Sequence, residues 1–114
     1  MDRTEVKLGK IEHVSFGLGG YQGAMIGLHF AFSGDGWGCG TSNAAWDANR
    51  IKCSEHAEWT EEDRSMSYSG IMRKLSDLLA QAKVESVSEL EGVPVEVTFN
   101  NNMLQSWRIL SEVR

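Results

Sequence analysis

The stretch Met25-Ile26-Gly27-Leu28-His29-Phe30-Ala31-Phe32-Ser33-Gly34-Asp35-Gly36-Trp37-Gly38-Cys39-Gly40-Thr41 decides the fold class. Its first nine residues alternate. Ile26, Leu28, Phe30 and Phe32 share one face, while Gly27, His29 and Ala31 share the other, the period-2 pattern of a half-buried strand. Ser33 to Gly36 reads as a turn, because Asp-Gly flanked by further glycine tolerates positive φ. Trp37 to Thr41 then returns as a second strand whose alternating glycines leave one face as nearly bare backbone.

Upstream, Ile11 to Leu18 alternates as well, with Val14, Phe16 and Leu18 opposed to His13, Ser15 and Gly17. The Gly19-Gly20-Tyr21-Gln22-Gly23 loop joins this strand to the next as a hairpin. Downstream, Ser42 to Trp59 lacks periodicity and reads as a long irregular segment holding Trp46, Arg50, Cys53, His56 and Trp59. Loops of that length in small domains are commonly functional.

Thr60 opens a helix, with Asp63 three residues on in a capping-box pattern and Glu61, Glu62 and Asp63 at the positive end of the dipole. Tyr68, Ile71, Met72, Leu75, Leu78, Leu79 and Ala82 form its apolar stripe. A short turn over Ser88 to Gly92 follows. Val93, Val95, Val97 and Phe99 then share a strand face, Asn100 to Asn102 turns, and Met103 to Val113 returns with Trp107 and Ile109 inside. The expectation is a single α+β domain over residues 1–114: an antiparallel sheet of about five strands in the order β-β-β-loop-α-β-β, with one main helix on one face.

Composition bounds the function. The chain has 114 residues, 41% hydrophobic, with a net charge of −5. An acidic balance argues against general DNA or RNA binding, which needs a basic face. It suits docking on a basic partner. The polar N-terminus leads to no signal-peptide core, and no run has the length of a membrane helix. These features place the chain in the cytoplasm, without membrane partners, and its cysteines Cys39 and Cys53 are expected to be reduced.

Catalytic and metal sites find little in the sequence. Cys53-x-x-His56 is half of a zinc pattern without a second half, and Cys39 with His13, His29 or His56 lacks an orienting acid. No catalytic residue, metal or cofactor is expected. Ten of the twelve glycines fall in the first 40 residues. Gly36, Gly38 and Gly40 around Trp37 offer backbone N–H groups to an anion and an indole to a base. The same run equally describes a seam of small residues that lets a neighbouring element pack closely. Tyr21 and Trp46 are further aromatic candidates, and Arg50, Arg64, Arg73, Arg108 and Arg114 are the candidate cations, with Arg108 on the face opposite Trp107.

The Gly-Asp-Gly-Trp-Gly-Cys-Gly strand, the Trp-rich segment after it and the helix leading to Glu89-Leu90-Glu91-Gly92-Val93-Pro94-Val95-Glu96-Val97 resemble small hypothetical proteins of bacteriophages. In layout they are distantly similar to Thoeris anti-defence sponge proteins, which withhold cyclic ADP-ribose signals without cleaving them. The resemblance implies a non-enzymatic protein of the infected bacterial cytoplasm that sequesters a cyclic nucleotide or ADP-ribose-type ligand. The implied pocket lies at the interface of a homodimer or higher homo-oligomer and draws on Tyr21, Gly36, Trp37, Gly38, Gly40, Trp46 and Arg108. The other class compatible with the sequence is an acidic inhibitor, similar to anti-CRISPR proteins, that binds a host defence protein. Glu55, Glu58, Glu61, Glu62 and Asp63 are its natural contact.

Overall fold

The computed structural model describes residues 3–20, 23–47 and 60–113. Among the described residues five antiparallel strands form one curled sheet with one long helix on its inner face. They are β1 (Thr4–Gly19), β2 (Met25–Gly34), β3 (Trp37–Trp46), β4 (Pro94–Asn100) and β5 (Met103–Ile109), with α1 (Glu61–Ala82) between β3 and β4. The sheet order is β3-β2-β1-β4-β5. The α+β class and the order of elements agree with the sequence pattern.

Strand β1 organises the rest. Its first half pairs with β4, Thr4 opposite Asn100 through Lys10 opposite Pro94. Its second half pairs with β2, Lys10 opposite Ser33 through Gly19 opposite Met25. A bulge between Ile11 and His13 separates the halves. It keeps Ile11 and Val14 on the inner face although they stand an odd number of positions apart. The alternation Thr4-Glu5-Val6-Lys7-Leu8 extends the strand seven residues upstream of the expected Ile11 start. Here apolar Val6 and Leu8 face outward, 57% and 65% exposed.

The inner faces meet in one core. Ile11, Leu28, Phe30, Phe32, Val95, Val97 and Ile109 of the sheet pack with Ile71, Leu78 and Ala82 of α1. The curl is visible in the aromatic contacts. Trp107 on β5 lies 4.9 Å from Phe30 and 4.8 Å from Phe32 on β2, although β1 and β4 separate those strands in the sheet.

Local chemistry fixes the boundaries. The Thr60 hydroxyl accepts the Asp63 N–H at 3.1 Å, and the Asp63 carboxylate accepts the Thr60 N–H at 3.0 Å, completing the capping box. Lys83 ends the helix in the left-handed conformation at φ 61°. Its predecessor turn is closed by the Val84 N–H donating to the Leu79 carbonyl. A 3-10 turn over Val87–Leu90 precedes β4, where the Glu89 carboxylate accepts the N–H groups of Glu85 and Ser86.

Three boundaries differ from the sequence expectation. Residues Ser42 to Trp46, read as irregular, continue β3 because each pairs across to β2, down to Trp46 opposite Met25. The last strand stops at Ile109 and not Val113, and Ser111–Val113 forms a 3-10 turn. Tyr68 and Met72 belong to the expected helix stripe, yet both are exposed. Arg50, Cys53, Glu55, His56, Glu58 and Trp59 lie outside the described residues.

Candidate functional site

The glycine–tryptophan segment resolves into two faces. Trp37 and Cys39 point inward and pack on the core, while Gly38 and Gly40 point outward and are exposed. The Trp37 ring lies against Gly9 of β1 and Gly34 of β2. A Cβ on Gly9 would sit 2.6 Å from the indole Cζ2. Those two glycines are required by this close approach. Gly36 supplies the positive φ of the hairpin turn, 76°. The expected site residues are therefore dispersed. Trp37 lies on the inner face and Gly38, Gly40 and Trp46 on the outer face of β3. Arg108 stands on β5, the opposite edge strand. Tyr21 lies outside the described residues.

Arg108 is also engaged. Its Nε donates to Glu96 at 3.2 Å and its Nη1 to Glu112 at 3.2 Å. Hydrogen bonds first to Glu112 and then to Glu96 push its pKa above the ordinary arginine value. A phosphate reaching this guanidinium would have to displace two carboxylates.

Among the described residues the nucleophile candidates do not assemble either; Cys53 and His56 lie outside them. Cys39 faces the core, and burial pushes its thiol pKa up, the direction that suppresses thiolate. His13 and His29 stand on the outer face, on the other side of the sheet from Cys39. His29 Nδ1 lies 2.8 Å from the Ser42 hydroxyl, and Nε2 lies 3.1 Å from the Gly17 carbonyl and 3.2 Å from that of Met25. Both ring nitrogens are thus occupied by structural contacts. His13 lies 3.8 Å from Glu91 across a depression of about 370 Å³ that Ser15 and His29 also line. Among the described residues no group of three His, Cys, Asp or Glu side chains is arranged to hold a metal ion.

What the structure does assemble is an apolar groove that sequence reading passed over. It holds about 450 Å³ between the first half of α1 and the far end of the β1–β2 hairpin. Its walls are Phe16 of β1, Ile26 and Gly27 of β2, and Tyr68, Ile71 and Met72 of α1, with Asp47 at one end. Phe16 is 49% and Met72 55% exposed, and Leu18, on the same face of β1 as Phe16, is exposed as well. The groove arises because α1 packs chiefly over the β2–β3 side of the sheet, leaving the end of β1 uncovered. Asp47 lines one end of it, and Glu61, on the same helix face as Tyr68, is exposed in the first turn of α1. Arg64 is drawn back onto Glu61 at 3.2 Å. The signal in the sequence was Tyr68 and Met72, apolar residues at the edge of the helix stripe. Assigning them to the core concealed it.

No helix among the described residues is long and apolar enough to cross a membrane. Comparison of the chain with protein-family models, with curated proteins and with solved structures gives no significant match.

Proposed function

We propose that this chain is a non-catalytic binding protein of the phage anti-defence type that its layout resembles, and that it docks on a protein partner through the α1–β1 groove. The observation that carries the reading is the apolar lining of Phe16, Ile26, Tyr68 and Met72, with Asp47 at one end. Water-exposed aromatic and methionine side chains gathered in a concavity favour adaptable apolar contact. The acidic balance of the chain, with a net charge of −5, favours a partner segment that is apolar on one side and basic on the other. Nucleic-acid-binding defence proteins carry such segments. This is the acidic-inhibitor class, and it leads the nucleotide-sequestering class because Trp37, Arg108 and the glycines do not converge on one pocket.

The test is an amide-shift titration of the labelled protein with two short helical peptides, one of leucine and lysine and one of leucine and glutamate. Chemical-shift changes at Phe16, Ile26, Tyr68 and Met72 with the basic peptide alone support the groove. Equal response to both peptides, or none, overturns it. A parallel thermal-shift panel of cyclic nucleotides and ADP-ribose cyclic isomers addresses the other class. A rise in melting temperature with the compound recovered intact would move the function to sequestration of that ligand.

A further inference from the structure

Among the described residues nothing pairs with the outer edge of β3. Its ten residues, Trp37–Trp46, contain no charge and no proline, and their pairing with β2 has no bulge. The other edge strand, β5, carries both common safeguards: a register break between Thr98 and Phe99, and Arg108 in its carboxylate cluster. Edge strands without such features are templates for further pairing.

The phase of the ladder shows which groups are open. Gly34 and Trp37 close a two-residue turn, and at the far end the Asp47 N–H donates to the Ala24 carbonyl at 2.8 Å. Alternate residues of an antiparallel strand bond to the same neighbour. The N–H and C=O groups of Trp37, Cys39, Thr41, Asn43 and Ala45 therefore turn toward β2, and those of Gly38, Gly40, Ser42 and Ala44 turn away from it. Among the described residues none of these four outward backbone pairs has a bonding partner, and Gly38, Gly40 and Ser42 are exposed.

We propose that the β3 edge pairs with β3 of a second copy of this chain, antiparallel about a two-fold axis at Ser42, to give a continuous ten-stranded sheet. The pattern is self-complementary about that centre. Ser42 faces Ser42 of the partner subunit, and Gly40 faces Ala44 of the partner subunit. On the inner face Thr41 faces Asn43 of the partner subunit, a polar pair able to hydrogen-bond. The outward backbone groups of Gly40, Ser42 and Ala44 then meet one another. The absence of charge matters for a chain of net charge −5, since self-association juxtaposes like charges everywhere else. Two-fold pairing consumes both β3 edges and leaves only the guarded β5 edges outside, so growth stops at the dimer.

Sedimentation velocity over a wide concentration range, with amide hydrogen exchange, tests this. The expected result is a reversible dimer in which the amides of Gly40, Ser42 and Ala44 are protected. Gly40→Pro removes an N–H that the monomer does not use. It should weaken dimerisation at least about thirtyfold, from two lost hydrogen bonds per interface, and expose those amides with the far-UV spectrum unchanged. Should the proline disturb folding, Ser42→Lys places like charges face to face at the axis and should give the same monomer. Ser106→Lys on the β5 edge should leave the dimer intact. A wild-type chain that stays monomeric with these amides exchanging freely overturns the proposal. So does a dimer that survives both β3 variants, or one that Ser106→Lys disrupts.

Discussion

The indole of Trp37 stands edge-on to the ring of Phe99, with centroids 5.6 Å apart and planes at 85°. One residue comes from the β2–β3 hairpin and the other from β4, so the contact ties the two hairpins across β1. Gly9 is the point of passage, because any side chain there would meet the indole. The geometry suits the favourable edge-to-face arrangement of aromatic rings. The unusual glycine–tryptophan run is therefore, on its inner face, a packing seam.

Loss of that seam should be costly. Trp37→Ala should destabilise the fold by about 3 kcal/mol, the range for removing a large aromatic from a packed site. For a chain of this size that corresponds to a fall in melting temperature of roughly 10 °C or more. Gly9→Ala should also destabilise, by about 1–3 kcal/mol, because the indole must shift and the Ser33 carbonyl also lies in the way. Thermal denaturation of both variants checks this. A Trp37→Ala protein that melts like the wild type would contradict the packing role.

The capping box at Thr60 gives a second expectation. Thr60→Ala removes the acceptor for the Asp63 N–H and should cost about 1 kcal/mol. Asp63→Asn keeps an acceptor for the Thr60 N–H but removes the charge at the helix N-terminus, and should cost less. Denaturant titration of the two variants should preserve that order, with an unchanged slope.

Most of the architecture was legible in the sequence, and the parts that were not have physical causes. The helix was readable because Thr60, Asp63 and the Ile71-Leu75-Leu78-Ala82 spacing are local signals. The first half of β1 was obscured because the bulge after Ile11 inverts its faces, so that Val6 and Leu8 point to solvent and Glu5 and Lys7 lie on the core side. The end of β3 was missed because Ser42, Asn43, Ala44 and Ala45 have weak strand propensity and are held by cross-strand partners. The groove was illegible for a different reason. Which members of an apolar stripe are covered depends on how far α1 sits toward β3, and the stripe itself does not encode that offset.

That offset can be tested with paired substitutions one position apart. Ile71 is buried and Met72 exposed. Ile71→Ala should cost about 2–3 kcal/mol through the cavity it leaves. Met72→Glu should stay within about 0.5 kcal/mol of wild type, as surface substitutions do, while abolishing the response of the groove to a basic peptide. Equal destabilisation by the two would show that Met72 is a core residue and that the groove is closed in solution.

Acid sensitivity should come partly from carboxylates that accept hydrogen bonds. The backbone N–H groups of Glu85 and Ser86 hold the Glu89 carboxyl below the ordinary glutamate value. The Ser33 hydroxyl, aided by the charge of Lys10, does the same for Glu12. A carboxylate whose pKa is lower in the folded state stabilises above the unfolded value, and that contribution disappears as pH falls through the folded value. The window therefore opens near the unfolded glutamate value of about 4.3 and extends downward. Glu89→Gln should lower the melting temperature at neutral pH and lose less on acidification, so the two curves should converge at low pH. Parallel curves would remove Glu89 from the account.

His29 allows a prediction about a single proton. Its Nε2 faces the carbonyl oxygens of Gly17 and Met25, which can only accept, so the neutral ring must carry its proton on Nε2. Nδ1 is then the acceptor for the Ser42 hydroxyl at 2.8 Å. Long-range proton–nitrogen correlation should therefore show the Nε2–H tautomer for this ring. Ser42→Ala should move the Nδ1 resonance, leave the proton on Nε2 and cost no more than about 1 kcal/mol. The small cost follows from exposure, since water can replace the hydroxyl on the open face of the sheet. A ring found predominantly as the Nδ1–H form would mean that the two carbonyls do not hold it. The outer surface around Gly17, Gly19 and Ser42 would then be arranged differently from the geometry on which the pairing of β3 edges relies.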